Sequence, residues 1–328
     1  LMGDAILAAA ERAGCPELLP RVQWIASPRG FWDYEDPGRA LAARIGASAA
    51  RSIVAEVGVL QTTLFGAAGR AIAEGSADVC VITGGEAKYR TLRAQIAGTE
   101  APLTPAPGEP DEIWRPAAEI VHPLELRHGL GQPVTQYAMI DNALRLVEGQ
   151  DTDTHRREIA TLGEAMSAVA ATNPDAWDRT PHTADEIREP EGRNRMLAFP
   201  YTKLCNSQWN VDQAAALILC AAETADALGI PSEGRVVLRA VADSNFMLPL
   251  VQRAEVHRSP GFAEAGAAAL GGAGLRPDQI GPLELYSCFP SAVRVQQREL
   301  DLPRDVPVTV TGGMAFAGGP LNNFVLQA

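Results

Sequence analysis

Tyr286 and Cys288 are two residues apart in the sequence, and both have side chains that could carry out chemistry. They stand in the stretch ELYSCFPSAV at 284–293, which continues the apolar run PLELY. Residues two apart in an extended strand face the same side, whereas a turn here would separate them. A phenol can donate or accept a proton, and a thiol can act as a nucleophile. The structural alternatives are a packed tyrosine with its hydroxyl bonded and a cysteine that fills buried space.

A second candidate is the glycine-rich stretch TGGMAFAGGPLNN at 311–323, which follows the alternating run VPVTV. Such a loop can bind phosphate through its backbone or present a catalytic side chain. This stretch lacks the spacing and the Lys-Ser/Thr ending of a P-loop. We therefore set the phosphate-binding interpretation aside.

Basic residues offer a third kind of site. Lys88, Arg90 and Arg93 follow the turn Gly-Gly-Glu at 84–86. They could contact phosphate groups of a ligand, or they could belong to a solvated surface. The histidines and the five cysteines show neither metal-ligand spacing nor a CxxC pair, so we expect no metal site and no disulfide framework.

The bulk composition excludes some classes of function. The formal net charge of -12 argues against nucleic acid, whose binding requires clustered Lys and Arg. No apolar stretch of 18 residues without charges and no leader-like start is evident. We therefore expect a cytoplasmic protein without a membrane span.

The first part of the chain alternates strands and helices. Strands are predicted at 22–26, 52–55, 79–83 and 214–221, and helices at 38–49 and from Leu60 to about Gly75. The run VCVIT at 79–83 is apolar on both faces, as in the interior of a parallel sheet. Gly66 and Gly69 would permit close backbone approach, so we expect the helix from Leu60 to Ala73 to be nearly solvent-free.

The remaining chain is predicted to contain an inserted region and a second α/β half. Helices are expected at 133–147 and 154–171 within the insertion. Beyond it, strands are expected at 236–241, 282–286 and 306–310, with helices at 262–270 and 291–300. Strands that alternate with helices twice over indicate an α/β class.

Four segments together resemble the thiolase superfamily, most closely its thiolase-like acetyl-CoA acetyltransferase branch near the sterol-carrier-protein type. The order and spacing of the four agree with that family across nearly the whole chain. The segments are VGVLQTTLFGAAGRAIAEGSADVCVITGGEA at 57–87, NSQWNVDQAAALIL at 206–219, ELYSCFPSAV at 284–293 and TGGMAFAGGPLNN at 311–323.

The resemblance implies a five-layered α-β-α-β-α fold built from two similar halves. The N-terminal half would comprise 1–87 and 201–231, an inserted helical and loop subdomain 88–200, and an incomplete C-terminal half 232–328. The expected ligand is coenzyme A or an acyl-CoA, with no covalently bound cofactor. His128, Lys88 and Arg90 are candidates for its contacts. A homodimer is the expectation from the family, and a monomer is the alternative.

Two catalytic groups of classical thiolases are replaced at the positions that the resemblance matches. The nucleophilic cysteine falls on Gly58 and the oxyanion-hole histidine on Gly319, while Tyr286 stands where thiolases carry Asn or His. Glycine cannot accept an acyl group, so cysteine-dependent thiolysis would be lost. Backbone N–H groups at a helix start near Gly58 could still form an oxyanion hole.

Three functions remain open on this basis. The first is a divergent acyltransferase-like protein of lipid metabolism that acts on acyl-CoA thioesters. The second is a catalytically silent acyl-CoA-binding or scaffold protein. The third is a retro-aldol lyase in which Tyr286 acts as acid or base.

Overall fold

The computed structural model describes residues 1–245 and 247–327. The strands are β1 Trp24–Pro28, β2 Arg51–Ala55, β3 Val79–Ala87, β4 Glu112–Trp114, β5 Met196–Ala198, β6 Tyr201–Thr202 and β7 Asp212–Cys220. The helices are α1 Met2–Arg12, α2 Pro37–Arg44, α3 Gln61–Ala73, α4 Lys88–Ile96, α5 Pro123–Arg127, α6 Pro133–Val147, α7 Thr152–Thr172, α8 Ala184–Arg188, α9 Ala222–Ala227, α10 Pro260–Ala273, α11 Pro290–Glu299, α12 Gly313–Phe316 and α13 Phe324–Gln327. The predicted α/β class is confirmed.

The chain forms two compact units. The first, here called the sheet unit, comprises 1–116, 210–243 and 320–327, and the second, here called the helical unit, comprises 117–209 and 244–319. These units are defined by compactness, whereas the boundaries expected from the sequence follow the resemblance. Those domain boundaries stay a prediction.

The sheet unit is built on a five-stranded sheet in the order β4-β2-β1-β3-β7. β1 pairs in parallel with β2 and β3, β2 pairs in parallel with β4, and β7 is antiparallel to β3. Val79 and Val81 face a core shared with α1 and α2, whereas Cys80 and Ile82 face the core under α3. The strand is therefore apolar on both sides because both sides are covered.

Helix α3 is less buried than its sequence predicts. Only Leu64 and Ala68 within it are fully buried, and most other positions keep partial exposure. One face of the helix packs on the sheet, while a Cβ atom at Gly66 or Gly69 would meet the side chains of Val241 and Leu238. The expectation of a nearly solvent-free helix is wrong, because within the sheet unit only one face is broadly covered.

The predicted strand at 236–241 does not form. Val236 is 98% exposed, and no backbone ladder is assigned to this stretch. Helix α2 is also shorter than predicted and ends at Arg44, close to Gly46, whose φ of 77° is left-handed. The apolar residues at 236–241 therefore predicted a strand that forms no strand ladder in the described part of the chain.

The helical unit contains the predicted helices α6, α7, α10 and α11. Glu148 and Glu158 each pair with both Arg294 and Arg304, so four charges form a ring that joins the end of α6 to α7 and α11. Arg294 is largely buried, and the carboxylates of Glu148 and Glu158 compensate its charge. The ring fixes the position of α11, the helix that follows Cys288.

The predicted strands at 282–286 and 306–310 are extended segments without a regular ladder. The Leu285 N–H donates to the Val308 carbonyl at 2.9 Å, so the two segments do lie side by side. Neighbouring backbone groups bond to side chains instead, among them Glu284 and Gln296. The sequence correctly predicted extended backbone but not that side chains would take the place of strand partners.

Candidate functional site

Successive residues from Glu284 to Cys288 are each fixed by a different neighbour within the helical unit. The Glu284 carboxylate accepts the N–H groups of Val310 and Thr311 at 2.8 and 2.9 Å, and the Thr309 hydroxyl at 2.9 Å. The Glu284 carboxylate therefore takes the place that an external anion would occupy if these loop amides were free.

The glycine-rich loop has its amides satisfied internally. The Thr309 hydroxyl oxygen accepts the Gly312 and Gly313 N–H groups at 2.9 and 3.1 Å, and the Ser287 hydroxyl oxygen accepts the Met314 N–H at 3.0 Å. The φ angles of Gly312 and Gly313, 109° and 70°, require glycine. A phosphate would have to displace protein acceptors, so this geometry does not favour a phosphate cradle.

Ser207 joins the segments that carry Cys288 and Gly319. Its N–H donates to the Cys288 carbonyl at 3.1 Å, and the Gly319 N–H donates to the Gln208 carbonyl at 2.8 Å. A Cβ atom at Gly319 would overlap the Ser207 hydroxyl. The structure thus places three of the matched sequence segments together, with Ser207 in the space that a side chain at 319 would need.

Tyr286 and Cys288 lie together, and Tyr137 joins them. The electrostatic effect that Cys288 has on the pKa of each phenol places Tyr137 and Tyr286 near its thiol. The Tyr137 ring stacks on Phe289 with centroids 4.7 Å apart, and Phe289 also stacks on the buried Tyr201. Tyr286 as a whole is 41% exposed, whereas Cys288 is buried.

Burial determines the protonation of this cluster. Burial raises the pKa of the Cys288 thiol to about 12, against the smaller opposing effect of its hydrogen bonds from the two phenols. The pKa of Tyr286 lies well above its usual range, first because of its interaction with Cys288 and then because of burial. The same causes raise the pKa of Tyr137. At neutral pH all three groups keep their protons, so the phenols are donors rather than bases.

Gly58 lies in the sheet unit, in a turn before α3. Its φ is 102°, a value that a residue with a side chain rarely adopts. Leu60 is the N-cap of α3, so the helix begins where its apolar pattern predicts and Gly58 lies outside it. Backbone conformation therefore accounts for glycine at this position, and its match to a lost nucleophile stays a prediction.

The candidate ligand contacts do not converge in one unit. The Lys88 ammonium lies 3.9 Å from the centre of the Phe31 ring, and the Arg90 N–H donates to the Asp212 carboxylate at 3.0 Å. Asp212 thus supplies an anion at the start of α4. His128 is exposed at the end of α5, in the helical unit. Contacts of these residues with coenzyme A stay predictions.

Sequence reasoning missed Tyr137, Ser207 and a buried pair formed by Asp141 and His155. The His155 Nε2 lies 2.9 Å from an Asp141 carboxylate oxygen, and its Nδ1 lies 2.8 Å from the Gln150 side-chain oxygen. Tyr137 and Asp141 are four residues apart on α6 and so share a face. That spacing was visible in the sequence, but their partners lie far away along the chain.

A small cavity of about 20 Å³ lies within the helical unit. Its lining includes Met166, Cys205, Ser287, Phe289, Val293 and Phe316. This volume corresponds to roughly one water molecule. The cavity therefore does not provide space for an acyl chain.

The described parts of the chain show neither a metal centre nor a membrane helix. Across residues 1–245 and 247–327, no cluster of three or more His, Cys, Asp or Glu side chains could hold a metal ion. Within the same residues, no helix is long and apolar enough to cross a membrane.

Comparison with known proteins identifies the fold. No protein-family model and no curated protein matches the sequence. Among solved structures, a monomeric SCP2-thiolase like protein type 1 from Mycobacterium smegmatis is 29% identical with a TM-score of 0.78, over 98% of this chain and 64% of that one. An Ltp2-ChsH2(DUF35) aldolase is 21% identical with a TM-score of 0.73, over 97% of this chain and 80% of that one.

The first of these structures is considerably longer than the present chain, which spans 64% of its length. The similarity nevertheless extends over nearly all of the present chain in both cases. Together with the parallel-dominated sheet, it confirms the predicted resemblance at the level of the fold. The chain has a thiolase-like fold, near that of the SCP2 thiolases.

Proposed function

We propose that this protein acts on acyl-CoA thioesters through the site around Tyr286, without a cysteine nucleophile. The observation that carries the proposal is the position of the partly exposed Tyr286 two residues before Cys288, whose buried thiol keeps its proton. A thiolate is the nucleophilic form of cysteine, and on the order of 10⁻⁵ of a thiol with this pKa is ionised near pH 7. Covalent acyl transfer to Cys288 is therefore disfavoured, whereas hydrogen-bond donation to a thioester oxygen is available.

A retro-aldol cleavage is the specific reaction that these donors suit. In a β-hydroxyacyl thioester the hydroxyl proton leaves to water and the O–H electron pair forms a carbonyl. The bond between the α and β carbons breaks, and its electron pair moves into the thioester as an enolate. Tyr286 would stabilise the enolate oxygen and return a proton to the α carbon, then recover its own from water. The products are a ketone or aldehyde and a shortened acyl-CoA.

This reaction fits the protonation of the site better than thiolysis does. A general acid contributes typically about 10²–10⁴-fold, and a donor aimed at a developing oxyanion contributes about 3–4 kcal/mol. Both roles require a protonated phenol, and a phenol with a pKa of about 10 or higher keeps its proton at neutral pH. Thiolysis would need a thiolate, which this environment disfavours.

Parallel assays test the proposal. Titration calorimetry with CoA and several acyl-CoAs measures binding, while acetoacetyl-CoA thiolysis and β-hydroxyacyl-CoA cleavage are followed with the same preparation. We expect binding, cleavage and no thiolysis. Treatment with an acylating reagent should leave Cys288 unlabelled.

The catalytically silent alternative gives a different pattern. Binding without turnover of any tested thioester would identify an acyl-CoA-binding or scaffold protein. No heat with any ligand at high protein concentration would contradict an acyl-CoA function of any kind.

A further inference from the structure

The peptide backbone at Tyr286 is held at both ends by one side chain. The Gln296 side-chain oxygen accepts the Tyr286 N–H at 3.0 Å, and the Gln296 side-chain nitrogen donates to the Tyr286 carbonyl at 2.7 Å. The same nitrogen donates to the Ala292 carbonyl at 2.8 Å. A primary amide can make this pair of bonds because it carries a donor and an acceptor side by side.

Gln296 is itself immobilised by its surroundings. It lies on α11 and is only 7% exposed. Its bond to Ala292, one turn earlier on α11, fixes the orientation of its amide group. Arg294, two residues earlier, anchors the helix in the four-charge ring described above. The amide therefore presents a rigid surface to the backbone of Tyr286.

This contact substitutes for a neighbouring strand. Leu285 bonds to Val308, and Ser287 receives the Met314 N–H, so both neighbours of Tyr286 are fixed from the other side of the segment. At Tyr286 the bonds to both backbone groups, the N–H and the carbonyl, come from Gln296 on α11. The direction in which the Tyr286 ring leaves the backbone thus depends on Gln296.

We propose that Gln296 is the positioning residue for Tyr286 and that it aims the phenol of this residue at the reacting thioester. The effect of Gln296 on catalysis rests on the proposed function, whereas its positioning of the Tyr286 backbone does not. Gln296 does not touch the substrate in this account. It acts through the backbone of the residue that does.

The chain offers a matched control at the next position. Gln297 is on the same helix, is 4% exposed, and also donates through its side-chain nitrogen to a backbone carbonyl, that of Pro303 at 3.0 Å. Gln296→Leu and Gln297→Leu therefore remove the same chemical group from equally buried sites. Of the two variants, Gln296→Leu is the one that removes the hydrogen bonds to the Tyr286 backbone.

The primary readout is the Tyr286 side chain itself. The protein contains five tyrosines, so labelling tyrosine with carbon-13 at Cζ gives few resonances, and Tyr286→Phe assigns the relevant one. An unperturbed tyrosine is half ionised near pH 10. We expect the Tyr286 resonance to stay in its neutral position at pH 10 in the wild type and in Gln297→Leu, and to shift towards the ionised position in Gln296→Leu.

Gln296→Glu provides a second test if the leucine variant folds poorly. A protonated carboxylic acid keeps one donor and one acceptor, whereas a carboxylate would face two carbonyl oxygens without a proton to donate. Burial disfavours the ionised form. We expect a native Tyr286 resonance at low pH, where the acid form prevails, and a displaced or split resonance once the new carboxyl ionises.

Measurements of cleavage activity then distinguish a failure of this inference from a failure of the proposed function. We expect kcat for thioester cleavage to fall about 10–100-fold in Gln296→Leu with KM nearly unchanged, since small misplacements of a catalytic group have such effects. A displaced Tyr286 resonance in a protein without any cleavage activity would support the positioning role and contradict the proposed function. An unchanged resonance in folded Gln296→Leu or in ionised Gln296→Glu would overturn the inference.

Discussion

Cys288 is held as a thiol by its surroundings, and this decides which reactions it can support. If it is not a nucleophile, Cys288→Ser should keep cleavage activity within about 10-fold, because a hydroxyl can bond to the same two phenols. Loss of a covalent nucleophile typically lowers kcat by roughly 10⁴–10⁶-fold. Steady-state kinetics of the serine variant distinguishes the two. A collapse of activity together with acyl labelling of wild-type Cys288 would show that burial does not silence it.

Gly319 is constrained by Ser207 rather than by its own backbone angle. Gly319→Ala should lower the free energy of unfolding by about 1–3 kcal/mol, since its new methyl group would overlap the Ser207 hydroxyl. Ser207→Ala in the same chain should restore much of this loss, because the two changes share one contact. Gly281→Ala is the control, as a Cβ atom there meets nothing within 4 Å. Equal effects at 319 and 281 in urea unfolding would refute the overlap.

Arg258 and Glu299 join the start of α10 to the end of α11. Both carboxylate oxygens of Glu299 accept from Arg258, at 2.8 and 2.9 Å, and one also accepts the Ser259 N–H. The hydrogen bond from Arg258 is the main reason why the pKa of Glu299 is lowered. We expect Glu299→Gln to lower Tm by roughly 3–8 °C at pH 7, because it weakens charge-assisted bonds.

The pH dependence of this effect follows from the sign of the shift. Because the folded pKa is below that of the unfolded chain, about 4.3, the stabilisation is complete above that value. It is lost as pH falls through the folded pKa. The Tm difference between wild type and Glu299→Gln should therefore shrink below about pH 4, in contrast to the exposed Glu264→Gln. A difference that grows on acidification would contradict the lowered pKa.

Helices and strands could be predicted from the sequence where the spacing of apolar residues matches both the backbone conformation and the buried face. This holds for β3, whose apolar run is covered on both sides, and for α6 and α7, whose apolar positions recur at helical spacing. It fails at 282–286, where the Gln296 side chain bonds to the backbone in place of a neighbouring strand. A local pattern specifies extended backbone but not the identity of its hydrogen-bond partners.

The site itself was only partly visible for a related reason. Tyr286 and Cys288 are close in sequence, so their proximity could be predicted. Tyr137 lies near the same thiol from α6, and the Ser207 N–H donates to the Cys288 carbonyl from a loop before β7. These contacts depend on how distant elements pack, which a single sequence does not specify. The resemblance indicated the segments that meet but not which side chains fill the site.

Ligand binding should stabilise the whole molecule if acyl-CoA is its ligand. Saturation at about 100 times Kd adds roughly 2.7 kcal/mol to the free energy of unfolding, which corresponds to a measurable rise in Tm. We expect this rise with acyl-CoA and not with adenosine or free fatty acid alone. Equal shifts with unrelated anions would indicate a general charge effect instead.

The oligomeric state is a further property of the whole molecule. The resemblance predicts a homodimer, whereas the solved SCP2-thiolase like protein named above is described as monomeric. Light scattering at several protein concentrations measures the mass directly. A mass near 34.8 kDa at all concentrations would contradict the dimer for this chain.

Tyr286→Phe tests the central claim most directly, because it removes one hydroxyl from the site and leaves the ring. If Tyr286 donates a proton during thioester cleavage, kcat should fall by at least about 100-fold while acyl-CoA affinity, measured by calorimetry, stays nearly unchanged. If the hydroxyl only bonds to Cys288, the variant should lose about 0.5–1.5 kcal/mol of stability. Turnover equal to that of the wild type, with affinity unchanged, would contradict the proposed role of Tyr286.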